Sequence, residues 1–218
     1  MAQIFHPSMN TVAKGSILGA VITLGLIGFI IGGVVRSPYI TQEDVPRAQP
    51  VPFSHEHHVG GLGLDCRYCH TGVEDSPFAG VPATKICMTC HSQIWTNASI
   101  LEPVRESWRT NTPIRWNRVH QLPDFVHFNH SIHIAKGIGC SACHGQVDQM
   151  PLMWKNQSLE MSWCIGCHKN PEAQIRPRDQ VFNMKYQQPS NQAELGAELV
   201  AKYNVNKRQL INCSVCHY

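Results

Sequence analysis

The sequence predicts a loop-rich, mainly α-helical domain with little regular structure, preceded by one N-terminal transmembrane helix. Three observations carry that expectation. Residues 15–35, "GSILGAVITLGLIGFIIGGVV", hold no charged side chain. Beyond them Gly and Pro recur while periodic apolar segments are scarce. The pattern Cys-x-x-Cys-His is written five times and uses all ten cysteines.

Taken in order, residues 1–12 form a short polar tail and residues 13–35 the transmembrane helix. As a helix its uncharged run, the 21 residues 15–35, reaches about 31 Å, the thickness of a hydrocarbon core. A secretory signal would have a shorter apolar region and end in a small-x-small cleavage site. The chain instead continues "RSPYITQEDVPRAQPVP", so the segment reads as an uncleaved anchor. Gly15 with Gly19, and Gly28 with Gly32, have the spacing that lets a second helix approach closely. Residues 36–52 contain four prolines and read as a stiff tether.

From Phe53 to Tyr218 only two modest helices are expected. One covers about 101–109, with Pro103 in its first turn and Leu101, Val104 and Trp108 on one face. The other covers about 192–203, where Asn191 and Glu194 have capping-box spacing and Leu195, Leu199 and Val200 form a stripe. This is too little to build an ordinary core for roughly 165 residues, so another apolar material must fill the interior. The chain has 218 residues, 15% of them charged, with a formal net charge of +3 and no basic run. That is too weak to argue for a nucleic-acid partner, and none is expected.

The five motifs are "CRYCH" 66–70, "CMTCH" 87–91, "CSACH" 140–144, "CIGCH" 164–168 and "CSVCH" 213–217. Two thiols at this spacing add to the two vinyl groups of haem, and the adjacent histidine reaches the iron. A thioredoxin-type pair would occur once, within a βαβ unit. Zinc ribbons need no histidine after each second cysteine. A disulfide framework needs no fixed spacing. The reading is therefore a multihaem cytochrome c with five covalently bound haem c groups. They would be held by Cys66, Cys69, Cys87, Cys90, Cys140, Cys143, Cys164, Cys167, Cys213 and Cys216, with proximal ligands His70, His91, His144, His168 and His217. Roughly 34 residues serve each haem, which makes the haems themselves the core. Trp95, Trp108, Trp116, Trp154 and Trp163 are expected to pack on haem edges. Ten ionised propionates would take the net charge to about −7.

Each iron needs a second axial ligand. "FSHEHH" from Phe53 and "FNHSIH" from Phe128 share Phe-x-His-x-x-His, and each opens a two-motif module, about 53–91 and 128–168. His55 with His58, and His130 with His133, start close together, yet each can serve a different haem. His57 and His127 lie outside the repeat and are expected at the periphery. His6 precedes the anchor and should lie across the membrane from the haems. For the fifth distal position His120 is favoured, with Met150 the leading methionine ahead of Met153, Met161 and Met184. Met150 follows "CSACHG" closely, and a methionine ligand would raise the potential.

The segments "FSHEHHVGGLGLDCRYCHTGVEDSPFAGVPATKICMTCHSQIW", "RVHQLPDFVHFNHSIHIAKGIGCSACHGQVDQM" and "LEMSWCIGCHKNP" resemble the multihaem c-type cytochromes of respiratory complexes over about 51–177. With an anchor before them and a fifth site after, the chain is similar to the pentahaem cytochrome subunits of alternative complex III. That resemblance implies a quinol-oxidising respiratory or photosynthetic complex. Its partners would be an integral quinol-oxidising membrane subunit, an iron–sulfur subunit related to molybdopterin enzymes and a monohaem cytochrome c. A soluble acceptor or terminal oxidase would receive the electrons.

A haem ligated on both faces leaves no site for substrate, so the chain reads as an electron relay that is not catalytic alone. One rival is a membrane-anchored quinol dehydrogenase of the small tetrahaem type, which would need a quinol pocket beside a haem. A multihaem reductase would need an open iron, often marked by Cys-x-x-Cys-Lys, whereas all five motifs here end in His. A zinc-binding structural protein comes last. The anchor places the chain in the cytoplasmic membrane as a single-pass protein. Because haem is attached outside that membrane, the haem domain is expected on its periplasmic side.

Overall fold

The computed structural model describes residues 4–218, which divide into two units, one reaching to Glu43 and the other Asp44–Tyr218. The first unit is dominated by α1, Met9–Val35. It begins directly after Pro7 and Ser8, earlier than hydropathy alone suggests, because Met9 to Val12 contain no helix breaker. Its mean hydropathy reaches 2.5, and it is long and apolar enough to cross a membrane. A Cβ added at Gly15, Gly19 or Gly28 would meet nothing within 4 Å, so these glycines present open backbone.

The second unit is mostly helical and loop-rich, with no strand among the described residues. Ile138 and Ile175 make an isolated antiparallel bridge. The longer helices are α2 (Thr84–His91), α3 (Glu102–Thr110), α4 (His130–Ala135), α5 (Met161–Lys169) and α6 (Gln192–Lys202).

Helix α3 has its proline in the first turn and follows a 3₁₀ turn, Ser99–Leu101. Leu101 and Val104 are buried as expected, but Trp108 is 55% exposed. The inward position is Ser107, whose hydroxyl donates to the Thr112 carbonyl at 2.7 Å. It therefore accepts from the Thr84 hydroxyl at 2.6 Å, tying α3 to α2. At α6 the Asn191 side chain makes no cap. Its backbone (φ −97°, ψ 30°) lies outside the extended region usual for a capping residue, and the Glu194 N–H bonds the Asn191 carbonyl instead.

Two small apolar clusters hold this unit. Val51, Leu101 and Val104 pack with Cys87, Met88, Ile114 and Trp116. Ile175, Leu199 and Tyr203 pack with Ile138, Leu195 and Val205. Helix α6 sits tightly on the turn Pro171–Ala173: a Cβ at Gly196 would lie 2.2 Å from the Glu172 carbonyl oxygen. Among the described residues ten apolar side chains are buried. So few cannot offset the ordering entropy of a unit this size, which leaves the interior to be completed by bound groups.

The repeat is visible as structure, with one difference. After His130 the chain forms the α-helical α4, while after His55 it forms a π-helix, Glu56–Gly61. The first module has one residue more between its paired histidines and its first cysteine. A π turn absorbs one extra residue without breaking the helix. The π-helix rests on the turn Val147–Gln149, so closely that a Cβ at Gly60 would lie 2.3 Å from the Asp148 carbonyl oxygen.

Candidate haem-attachment and axial-ligand sites

Four of the five Cys-x-x-Cys-His motifs lie on helical turns: Cys66–Cys69, the end of α2, Cys140–His144 and α5. The fifth opens a 3₁₀ turn, Cys213–Val215. Helical winding brings residues i and i+3 to one side, so both thiols of a motif face the same way. All ten cysteines are free thiols. Burial pushes Cys143 up to about 12, with Cys167 and Cys164 adding to it, and also raises Cys69, Cys87, Cys164 and Cys167.

The attachment histidines are held in a common way. His70 Nδ1–H donates to the Gly80 carbonyl (2.7 Å), and His91 to Ile94 (3.3 Å). His168 donates to Leu210 (2.8 Å) and His217 to Phe125 (2.9 Å). A carbonyl only accepts, so Nδ1 carries the proton in each ring and Nε2 keeps its lone pair. That is the tautomer an iron ligand needs. His144 differs: its Nδ1 lies 3.2 Å from Nε2 of His120, with the rings edge-on at 4.3 Å and 75°.

The paired histidines repeat the pattern. His58 Nδ1 donates to the Ser54 carbonyl (2.8 Å) and His133 to Asn129 (2.7 Å), each four residues back. His130 reaches into the other module and donates to Pro77 (2.8 Å). Nδ1 of His55 is buried without a partner. Each pair is wedged by its phenylalanine. Phe53 meets His55 edge-on at 4.9 Å and stacks on His58 at 4.3 Å. Phe128 treats His130 (4.8 Å, 89°) and His133 (4.5 Å, 28°) alike. The shared Phe was visible in the sequence, but its role as a wedge was not.

Two imidazoles on opposite faces of one metal ion, each at about 2 Å, place their ring centroids about 6 Å apart. Three pairs have this separation: His58 with His91 at 6.2 Å, His130 with His144 at 6.3 Å, and His133 with His168 at 6.2 Å. His70 lies near enough to His55 that its charge lowers the His55 pKa, second only to burial, to about 4. In each module the first histidine thus faces the first motif and the second faces the second. Burial likewise holds His144 down to about 3, with His120 and His130 adding to it. His120 is lowered to about 4 by burial, then by Lys155. Burial thus favours the neutral imidazole at His55, His144 and His120, the form that keeps a nitrogen lone pair. Free thiols, free Nε2 atoms and these separations together fit haem.

The remaining candidates fall elsewhere. His120 is engaged with His144. Met150 is 1% exposed, and its carbonyl accepts the Glu56 N–H at the start of the π-helix. His127 stacks on Tyr218 at 4.2 Å, and its backbone N–H donates to the Cys216 carbonyl. His57 faces Trp95, itself 65% exposed, at 6.5 Å. The ring beside His217 is that of Phe125, at 6.0 Å.

Neighbouring motifs follow a spatial order that differs from chain order. Tyr68 and Thr89 hydroxyls meet at 2.8 Å, and Cys69 feels the charges of Cys87 and Cys90, joining motif 87–91 to 66–70. The Cys66 thiol faces Cys140; their hydrogen bond lowers the pKa of Cys66 and raises that of Cys140. Cys143 feels Cys167 and Cys164, and Cys164 feels Cys216. The row therefore runs 87–91, 66–70, 140–144, 164–168, 213–217.

Residues 126–218 match the family model described as cytochrome c7 and related cytochrome c. The chain is also 31% identical to the menaquinone reductase multiheme cytochrome c subunit of Nitratidesulfovibrio vulgaris (strain Hildenborough), over 57% of this chain and 69% of that subunit.

Proposed function

The chain belongs to the multihaem c-type cytochromes, and from that premise we propose that it is the membrane-anchored pentahaem relay of a quinol-oxidising complex of the alternative complex III kind. Family membership carries covalently bound haem c and electron transfer. The count of five rests on five complete motifs with no cysteine left over. Haem c supplies a one-electron ferric/ferrous couple.

The chain's own residues do the rest. Each cysteine pair would hold one haem, and each proximal histidine, aimed by its Nδ1 hydrogen bond, would offer Nε2 to its iron. His55, His58, His130 and His133 would supply the second ligands at the motifs 66–70, 87–91, 140–144 and 164–168. The observation that carries the reading is the set of three histidine pairs at 6.2–6.3 Å, strung along an unbroken row of thiols. At those four motifs a ligand on each face would exclude substrate and water, which supports relay as the task.

In this reading α1 crosses the cytoplasmic membrane once and the cytochrome unit lies on the periplasmic side. Its partners are an integral quinol-oxidising subunit, an iron–sulfur subunit and a monohaem cytochrome c, and electrons leave to a soluble acceptor or terminal oxidase. The relative's name supports a second reading in which electrons run the other way, toward menaquinone. One experiment separates them. Quinol added to the complex purified from native membranes should reduce the haems, while the isolated chain stays oxidised. Haems that quinol leaves oxidised, but that pass electrons from a reduced soluble cytochrome to quinone, would favour the second direction. Rapid reduction of the isolated chain by quinol would make it a quinol dehydrogenase.

A further inference from the structure

Four attachment histidines spend Nδ1–H on a backbone carbonyl, and His144 alone meets another imidazole. Its motif is also the middle one in the spatial row. We propose that His120 is a positioning residue for this site, accepting the His144 Nδ1 proton in a hydrogen bond and strengthening His144 as an iron donor, rather than an axial ligand itself. The inference rests on the cytochrome reading above and concerns this chain's own residues.

Three features carry it. For His144 to coordinate through Nε2, its proton must sit on Nδ1, so across the 3.2 Å contact His144 donates and His120 Nε2 accepts. A neutral His120 with its Nε2 lone pair engaged carries its own proton on Nδ1. Neither nitrogen then has a lone pair left for an iron. The position opposite His144 is also taken already, by His130 at 6.3 Å and within 6° of parallel. A third histidine at a site with two axial ligands has an outer role to fill.

The chemical consequence follows from acceptor strength. An imidazole nitrogen is a far better base than an amide carbonyl, so it draws the Nδ1 proton of His144 further toward itself. His144 gains imidazolate character, which favours the ferric over the ferrous state. The middle haem should therefore have a lower potential than a backbone-bonded histidine would give it.

The test uses the full chain with its haems attached, comparing wild type with His120→Leu and His120→Gln. Removal of such an outer partner typically costs 10–100-fold. The expected result for His120→Leu is about a tenfold fall in the ferric-to-ferrous ratio of one haem at fixed applied potential, about 59 mV for a one-electron couple. Haem mass and low-spin spectra should be unchanged. His120→Gln offers a carbonyl acceptor and should give a smaller shift in the same direction. Should His120→Leu fail to accumulate, that shift in His120→Gln with no new high-spin haem is sufficient support. A new high-spin haem in either variant makes His120 an axial ligand and overturns the proposal. Unchanged midpoints at full haem mass overturn it as well while leaving the cytochrome reading intact. A wild-type chain without bound haem would sink both.

Discussion

The rings of His130 and His144 lie within 6° of parallel, their centroids 6.3 Å apart, although they belong to different motifs. Their Nδ1 atoms are tied to Pro77 and His120, so the facing nitrogens are free for one ion. His130→Ala should therefore convert one haem of the set from low to high spin without loss of haem mass, because the thioethers hold the macrocycle in place. Electron paramagnetic resonance on the ferric protein reads the change. An unaltered low-spin spectrum would remove His130 from the ligand set.

The contact of α6 with the turn Pro171–Ala173 gives a stability prediction. At Gly196 a Cβ would sit 2.2 Å from the Glu172 carbonyl oxygen and 2.8 Å from two further backbone atoms, none of which can swing aside. Gly196→Ala should cost about 1–3 kcal/mol by overpacking, despite the gain in helix propensity. Denaturant titration followed by near-ultraviolet circular dichroism checks it, and an unchanged midpoint would contradict the close approach.

The spatial row makes some motifs terminal and others internal. Replacing Cys213 and Cys216 by Ser should remove one haem and disturb only the single neighbour at 164–168. The same change at Cys140 and Cys143 should remove one haem and also disturb its neighbours, since Cys140 faces Cys66 and Cys143 faces Cys167. Intact mass counts the haems, and a redox titration reports whether the others shift. Equal disturbance from both replacements would argue against the order.

The division at Glu43 leads to a topological expectation. A chain starting at Asp44 behind a cleavable export signal should mature with all its haems and appear in the soluble periplasmic fraction. The full chain should resist a high-salt wash of membranes. Recovery of the shortened chain only as haem-free aggregate would show that the first unit is needed for folding.

The haem chemistry was legible in the sequence because covalent attachment demands fixed spacing, and Cys-x-x-Cys-His writes that demand into five consecutive residues. Phe-x-His-x-x-His was equally plain as a repeat. Its division of labour was hidden, because which haem a histidine serves depends on how the modules dock. The spatial row is hidden for the same reason: Cys66 meets Cys140 only in three dimensions. Spacing at Asn191 and Glu194 suggested a side-chain cap, but the Asn191 backbone (φ −97°, ψ 30°) lies outside the extended region a capping residue adopts, and its side chain makes no cap bond. At Trp108 the apolar stripe pointed inward, while Ser107, through two hydrogen bonds, took the inner position. At position 120 the sequence shows a residue that can coordinate, but not that its Nε2 lies 3.2 Å from Nδ1 of His144.

The meeting of Cys66 with Cys140 bears on the protein's chronology. A chain that folded before modification would bring together two reduced thiols from different motifs. In an oxidising compartment their disulfide would disable both motifs at once. If the cytochrome unit matures in such a compartment, thioether formation ahead of module closure would avoid that disulfide. Docking would then be the final act of maturation.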